Sequence, residues 1–158
     1  MMKNSITSRA STSVHHTGNQ DMQNIVLDTN CLIMAVSANG EYYKIWQDYL
    51  DGNYNLCISN DILEEYVEVM GRNIRPDFAE MICYVIMNSS NTILVDPTYS
   101  FNMIAADVDD NKFVDCAIVA NAKFIVSNDK HFNVLKDIPF PHVEVLNIDE
   151  FMSELGNS

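Results

Sequence analysis

Positive charge is scarce in this 158-residue chain. It has 9 Lys and Arg against 22 Asp and Glu, a formal net charge of −13, and two of the basic residues, Lys3 and Arg9, precede every acidic one. Non-specific nucleic-acid binding depends on Lys and Arg at phosphates. The composition therefore disfavours a surface that holds nucleic acid by charge alone, although it does not exclude a nucleic-acid enzyme.

Long apolar runs and cysteine pairs are also missing. No stretch approaches the ~20 apolar residues of a transmembrane helix, and the first residues lack the apolar core of a secretion signal. We therefore expect a cytoplasmic protein that does not contact a membrane. None of the four cysteines belongs to a CxxC pair, so we predict four reduced core residues and no zinc site: Cys31, Cys57, Cys83 and Cys116.

What remains is the composition of one globular domain, 47% hydrophobic and 20% charged. Residues 1–21 are polar, rich in Ser, Thr, Asn and His, and without periodicity. We predict that they form a disordered N-terminal extension. Residues 22–155 would form the single folded domain.

Short apolar runs alternate with helical patterns after residue 22. The predicted strands are 24–27, 56–58, 92–95, 124–126 and 143–146. The predicted helices are 29–36, 41–50, one capped by Ser59 that ends at Gly71, 77–87 after Pro76, 111–121, and a short last helix opened by a capping box at 147–150. Strands separated by helices predict an α/β fold, a three-layer α/β/α sandwich around a central parallel twisted sheet.

Aspartates follow two of the buried strands. Asp28 comes directly after Ile25-Val26-Leu27, and Asp129 follows a second apolar run with Ser127 and Asn128 between. If the two strands are neighbours in a parallel sheet, both carboxylates lie at the edge where such sheets bind ligands. The alternative for Asp28 is a helix N-cap. Thr29 and Asn30 would hold its carboxylate, bind water or substrate, or cap the helix.

One glutamate of the third helix is placed to reach inward. With Tyr66 at the centre of the apolar face, Glu64 and Glu68 lie on the solvated side. Glu65 lies about 100° from that centre, at the border of the buried face. It is therefore either a site residue or an ordinary surface glutamate.

The densest acidic stretch runs from residue 107 to 115. Asp109 or Asp110 would cap the following helix, and Asp115, flanked by apolar residues, would face inward. We assign Asp107 to a solvated loop. Clustered carboxylates repel one another and lose hydration, so such a group usually holds a divalent cation. An all-oxygen set favours Mg²⁺ or Mn²⁺ over zinc.

With these residues in place, the chain resembles the PIN-domain nucleases, in particular the single-domain toxins of toxin–antitoxin systems related to VapC. The resemblance covers residues 22–151 and rests on four segments: 25–30, 59–66, 107–117 and 124–132. It implies a helix-covered parallel sheet and cleavage of single-stranded RNA by water that Mg²⁺ or Mn²⁺ activates. It also implies a homodimer and a basic antitoxin partner.

The resemblance assigns the acids one by one. The first acid of the family falls on Asp28, its glutamate on Glu65 and its last aspartate on Asp129. The middle acid falls on Asp110, or on Asn111 when counted back from Asp129, with Asp109 as the other neighbour. Asp28, Asp110 and Asp129 would hold the metal, and Glu65 and Asp115 would bind a second metal or orient water. The predicted substrate contacts are Thr29, Asn30, Ser127 and Lys130, with Lys112 and His131 as further phosphate contacts; the alternative for His131 is an exposed or capping residue.

Two other functions remain open from the sequence. A HAD-type aspartyl-phosphate phosphatase also begins with a strand followed by Asp, but it needs a second Asp where this chain has Asn30. A non-catalytic PIN-like module that binds RNA or protein would have no need for four inward carboxylates.

Overall fold

The fold places a five-stranded parallel sheet between helices, as predicted. A computed structural model describes residues 22–105 and 107–157; the predicted extension, residues 1–21, lies outside the described residues. The strands are β1 (Asn24–Leu27), β2 (Asn55–Ile58), β3 (Thr92–Leu94), β4 (Phe124–Val126) and β5 (Glu144–Leu146). Their order in the sheet is β3-β2-β1-β4-β5. The chain therefore moves to one side of β1 first and to the other side later.

The described ranges contain six α-helices, which flank the sheet: α1 (Thr29–Ala35), α2 (Tyr43–Leu50), α3 (Asn60–Asn73), α4 (Pro76–Asn88), α5 (Asn111–Val119) and α6 (Ile148–Gly156). The sequence did not predict two 3-10 helices, Val108–Asp110 and Lys130–Asp137. No helix in the described ranges is long and apolar enough to cross a membrane.

Glycine marks the end of one helix and lies inside another. Gly52 has a φ of 78° and follows α2, as expected for a left-handed residue at a helix end. The predicted end of α3 at Gly71 is wrong, because α3 continues to Asn73. A Cβ on Gly71 would lie 3.7 Å from the Cα of Pro76, which is an ordinary van der Waals distance, so the packing of α4 does not require glycine there. A glycine inside a helix costs ~1 kcal/mol relative to alanine, and α3 accommodates it.

The core runs along the central strands. Ile25, Val26 and Leu27 of β1 are at most 1% exposed, and the phenol of Tyr66 in α3 donates a hydrogen bond of 2.6 Å to the Leu27 carbonyl. All four cysteines are buried and free, as predicted. The buried β1 and its neighbours form a rigid base for the side chains at their carboxyl ends.

Candidate active site

The site lies where the strand order reverses. β1 pairs with β4 on one side and with β2 on the other, and such a reversal opens a crevice outside the carboxyl ends of the strands. Asp28 directly follows β1, and Asp129 follows β4 with two residues between them. The topology thus brings the two predicted aspartates to one crevice.

Asp28 is both a helix cap and a buried carboxylate. Its side chain accepts a hydrogen bond of 2.7 Å from the Thr29 amide and one of 2.6 Å from the Ser127 hydroxyl. Burial raises the pKa of the Asp28 carboxyl, while these two hydrogen bonds oppose the rise. Asp28 is therefore the N-cap of α1, and it is also buried at the carboxyl edge of the sheet, where its role as a site residue stays a prediction.

Ser127 links the two strands through its hydroxyl. It is 4% exposed, donates to Asp28 and accepts a hydrogen bond of 3.0 Å from the Asp129 amide. Thr29, at 3% exposure, donates to Glu65 through its hydroxyl. These two predicted substrate contacts are thus engaged with the acids, whereas Asn30 and Lys130 are exposed.

Glu65 reaches inward from the border of α3. Glu64 and Glu68 are exposed, as predicted, while the Glu65 side chain is 24% exposed and lies 2.7 Å from the Lys112 ammonium group. Thr29 and Lys112 each engage one of its two carboxylate oxygens. Glu65 therefore joins α1, α3 and α5 beside the crevice.

The three candidates for the middle acid have different surroundings. Asp109 is exposed. Asn111 is 7% exposed, and its amide both accepts from the Ile104 N–H at 2.8 Å and donates to the Ile104 carbonyl at 2.9 Å. Asp110 is 8% exposed and faces Asp129. Of the three, only Asp110 presents a carboxylate to the crevice.

A compact acidic group surrounds Asp110. Ligand atoms of Asp107, Asp110, Asp129 and His131 all lie within 4.8 Å of one another. Oδ2 of Asp110 is buried and has no hydrogen-bond partner in the described structure. Burial, and next the neighbouring Asp129 carboxyl, raise the pKa of Asp110 to about 8. A buried, unpartnered carboxylate oxygen among other carboxylates fits a divalent cation, which would supply the missing partner.

Asp107 lies in this group and not in a solvated loop, which corrects its assignment. Its side chain is 37% exposed, and it caps the 3-10 helix Val108–Asp110 by accepting from the Asp109 amide at 3.1 Å. Residues three apart lie above one another in a 3-10 helix. Asp107 and Asp110 therefore come together, and the three-residue spacing of the two acids is the signal that could have indicated this.

Asp115 faces a separate groove. It is 8% exposed and accepts a hydrogen bond of 3.0 Å from the Phe101 amide. Burial raises the pKa of Asp115, and that hydrogen bond opposes the rise. The groove is strongly acidic, and its charged lining residues are Asp61, Glu64, Glu65, Glu68, Asp96, Asp109, Lys112 and Asp115. The five predicted acids are thus distributed over two adjoining surfaces.

The sequence matches one family of known domains. A family model described as PIN domain matches residues 24–131, which include both strands of the crevice and the acidic group. The chain belongs to the PIN domain family. No curated protein is significantly similar to it in sequence.

Solved structures share the fold of this PIN domain at low sequence identity. The VapBC2 complex from Rickettsia felis, bound to a promoter DNA fragment, has a chain that is 17% identical with a TM-score of 0.55, covering 78% of this chain and 98% of its own. A chain of the DNA-bound VapBC from Salmonella typhimurium is 16% identical with a TM-score of 0.54, and the match covers 80% of this chain and 99% of that one. VapC20 from Mycobacterium tuberculosis is described as a toxin that cleaves the sarcin-ricin loop. It is 12% identical with a TM-score of 0.52, and the match covers 69% of this chain and 92% of that one.

The side chain of His131 lies beside the carboxylates of the PIN domain's acidic group. Its side chain is 43% exposed, and its Nδ1 lies 3.3 Å from Asp129 and 3.6 Å from each of Asp107 and Asp110. Asp129 accepts a hydrogen bond of 2.9 Å from the His131 amide. This turn places the two side chains on the same side, so that His131 faces three carboxylates.

Proposed function

We propose that this PIN domain is an endoribonuclease that cleaves single-stranded RNA with Mg²⁺ or Mn²⁺, and that it is the toxin of a toxin–antitoxin pair. The observation that carries this proposal is the unpartnered, buried Oδ2 of Asp110, which faces Asp129 at the crevice between β1 and β4. A divalent cation at this point would activate water and neutralise charge on a phosphodiester.

The proposal gives the acidic residues and Ser127 different roles. Asp110 and Asp129 would hold the cation, with Asp28 beside them; each Asp28 oxygen has one hydrogen-bond donor, which leaves a lone pair free for a ligand. Ser127 fixes the position of the Asp28 carboxylate. Glu65 and Asp115 would orient water or hold a second cation from the neighbouring groove.

The fold and the surface charge both support the proposed toxin role. The similar structures include two VapBC complexes and a VapC toxin. An acidic groove lined by seven carboxylates would complement a basic antitoxin. Exposed apolar side chains on α4, which are Met81, Tyr84 and Met87, support a homodimer. The family match argues against the phosphatase alternative.

The experiment that tests the proposed activity is metal-dependent cleavage of a mixed pool of single-stranded RNA. The purified protein should cut RNA with Mn²⁺ or Mg²⁺ and stop when EDTA is added, because the proposed cation lowers the pKa of the attacking water. Cleavage products are followed by gel and sequencing. A folded protein that binds metal and leaves the whole pool intact would contradict the proposal.

Two lysines would bind the RNA backbone in this proposal. Four of the other basic side chains in the described ranges form ion pairs, and Lys123 lies over the Phe124 ring. Lys130 and Lys136 form no ion pair with described residues, and both line one groove beside Asp129. They are thus free to contact phosphates next to the proposed cleavage site.

Replacing Lys130 and Lys136 together with Gln should raise KM for RNA by about 3–10-fold and change kcat less. Loss of two phosphate contacts should also reduce the slope of log affinity against log salt by about 1.4, which is ~0.7 per lysine on a single strand. The measurement is steady-state cleavage over a range of salt concentrations. Lys123→Gln is the matched control, since this exposed lysine precedes β4 at the opposite edge of the sheet. An equal change in the control would mean that overall charge, and not this groove, sets the affinity.

A further inference from the structure

The Nδ1 atom of His131 has an unusual position for an exposed histidine. It lies at nearly equal distances from three carboxylate oxygens, 3.3 Å from Asp129 and 3.6 Å from Asp107 and from Asp110. It donates no hydrogen bond to any of them within the described structure. A single N–H could satisfy only one of the three oxygens. A cation placed between the four atoms would satisfy all of them.

The distances suit ligands of one metal ion. A cation about 2.1 Å from each ligand puts neighbouring ligand atoms about 3 Å apart. The separations from Nδ1 exceed this by only a few tenths of an ångström, and all four ligand atoms lie within 4.8 Å of one another. A small inward movement of side chains would therefore form the site. The buried, unpartnered Oδ2 of Asp110 is an independent sign that a ligand belongs there.

Backbone amides hold two of the carboxylates in place. Asp129 accepts from the His131 amide, and Asp107 accepts from the Asp109 amide through Oδ1, which leaves Oδ2 directed at the group. Phe132, which follows the histidine, is fully buried and anchors the turn. The arrangement is thus supported by hydrogen bonds and packing that do not depend on the cation.

We propose that His131 and Asp107 are ligands of the cation site of this PIN domain, and that the histidine nitrogen makes the site prefer Mn²⁺ over Mg²⁺. Mg²⁺ requires oxygen ligands and retains its water, whereas imidazole is a good ligand for first-row transition metals. Mn²⁺ accepts both the three carboxylates and the nitrogen. This inference deepens the proposed function, on which it rests, by naming two ligands and the metal they select.

The test is metal binding by the full-length protein, free of RNA. Titration calorimetry should show that Mn²⁺ binds at least ~10-fold more tightly than Mg²⁺. His131→Gln should weaken Mn²⁺ binding by about 10-fold or more and Mg²⁺ binding by less than about 3-fold, so that the preference disappears. Pulsed EPR of bound Mn²⁺ should show coupling to a histidine ¹⁴N nucleus that is absent in His131→Gln.

His142→Gln is the matched control, because His142 is the other histidine of the described residues and is exposed away from the acidic group. It should leave the affinities and the nitrogen coupling unchanged. Asp107→Asn should weaken both metals, since it removes an oxygen ligand. Bound Mn²⁺ without nitrogen coupling in the wild type would overturn the inference, and this result does not require any variant to fold.

The outcome is separate from that of the RNA experiment. RNA cleavage without nitrogen coupling would retain the nuclease and remove His131 from the site. Nitrogen-coupled Mn²⁺ in a protein that cuts no RNA would retain the ligands and overturn the proposed activity.

Discussion

Asp110→Asn should abolish RNA cleavage and at the same time stabilise the metal-free protein at alkaline pH. We expect a loss of activity of about 10²–10⁴-fold, because the variant lacks the carboxylate oxygen that faces the proposed cation. Expression of the wild type, but not of the variant, should slow the growth of a bacterial host. Asp51→Asn is the control for cleavage and growth, since Asp51 is exposed and lies between α2 and β2, at the opposite edge of the sheet.

The stability effect follows from the direction of the pKa shift. The pKa of Asp110 rises from 3.8 to about 8 in the folded protein, chiefly through burial and then through Asp129, Asp107 and Asp28. Its protonated form therefore favours the folded state. This contribution to stability is complete below pH 3.8 and is lost as the pH rises toward 8. His131 also faces this carboxyl.

Thermal unfolding in EDTA between about pH 5 and pH 8.5 measures this effect. The melting temperature of the wild type should fall as the pH rises, and that of Asp110→Asn should fall less. Asp28, whose pKa is also raised, should leave some slope in the variant. Added Mn²⁺ should restore the stability of the wild type at high pH more than that of the variant. Parallel curves for the wild type and Asp110→Asn would contradict the assignment of the raised pKa.

Asn111→Ala should lower the free energy of unfolding by about 2–4 kcal/mol. The side chain makes two hydrogen bonds to the Ile104 backbone, and Ile104 is 1% exposed. Alanine would leave a buried N–H and a buried carbonyl without partners, at about 1–3 kcal/mol each before relaxation. The measurement is urea unfolding at neutral pH.

The variant Asn111→Asp distinguishes the structural role of Asn111 from the alternative role of position 111 as the middle acid of the site. One carboxylate oxygen could still accept from the Ile104 amide, but the other would face the Ile104 carbonyl in place of a donor. We therefore expect Asp to be destabilising as well. Asn73→Ala, at an exposed position at the end of α3, is the control and should stay within about 0.5 kcal/mol of the wild type. An Asn111→Ala protein as stable as that control would show that the loop before α5 does not depend on this clamp.

The fold was accessible from local patterns because its strands are short apolar runs with turn signals between the elements. β4 is found with the predicted bounds, and the capping box at Asn147 and Glu150 is present. The end of α3 was predicted too early, because glycine is a frequent signal for a helix end but Gly71 lies inside α3, which continues to Asn73. A glycine alone does not distinguish an interior position from the end of a helix.

Some features of the candidate site could also be predicted from the sequence, and others could not. Asp28 and Asp129 could be brought together from the sequence, since parallel strands share a carboxyl edge. Glu65 could be chosen from the helix face, but its contact with Lys112, 47 positions away, could not. Asp115 was expected to face inward, but its hydrogen bond from the Phe101 amide could not be predicted, because any residue except proline could supply that N–H. Asp107 was assigned to a solvated loop, because its three-residue spacing from Asp110 indicates proximity only if a 3-10 turn is expected between them.

The strand order also sets the time at which the crevice forms during synthesis. Asp28 and Ser127 are 99 positions apart, and β1 pairs with β4 across the same separation. A nascent chain that has produced β1, β2 and β3 carries Asp28 and Glu65 but neither Asp110 nor Asp129. Contacts of such long range form slowly. The acidic group therefore cannot assemble before synthesis has passed His131, when all the strands except β5 have already been made.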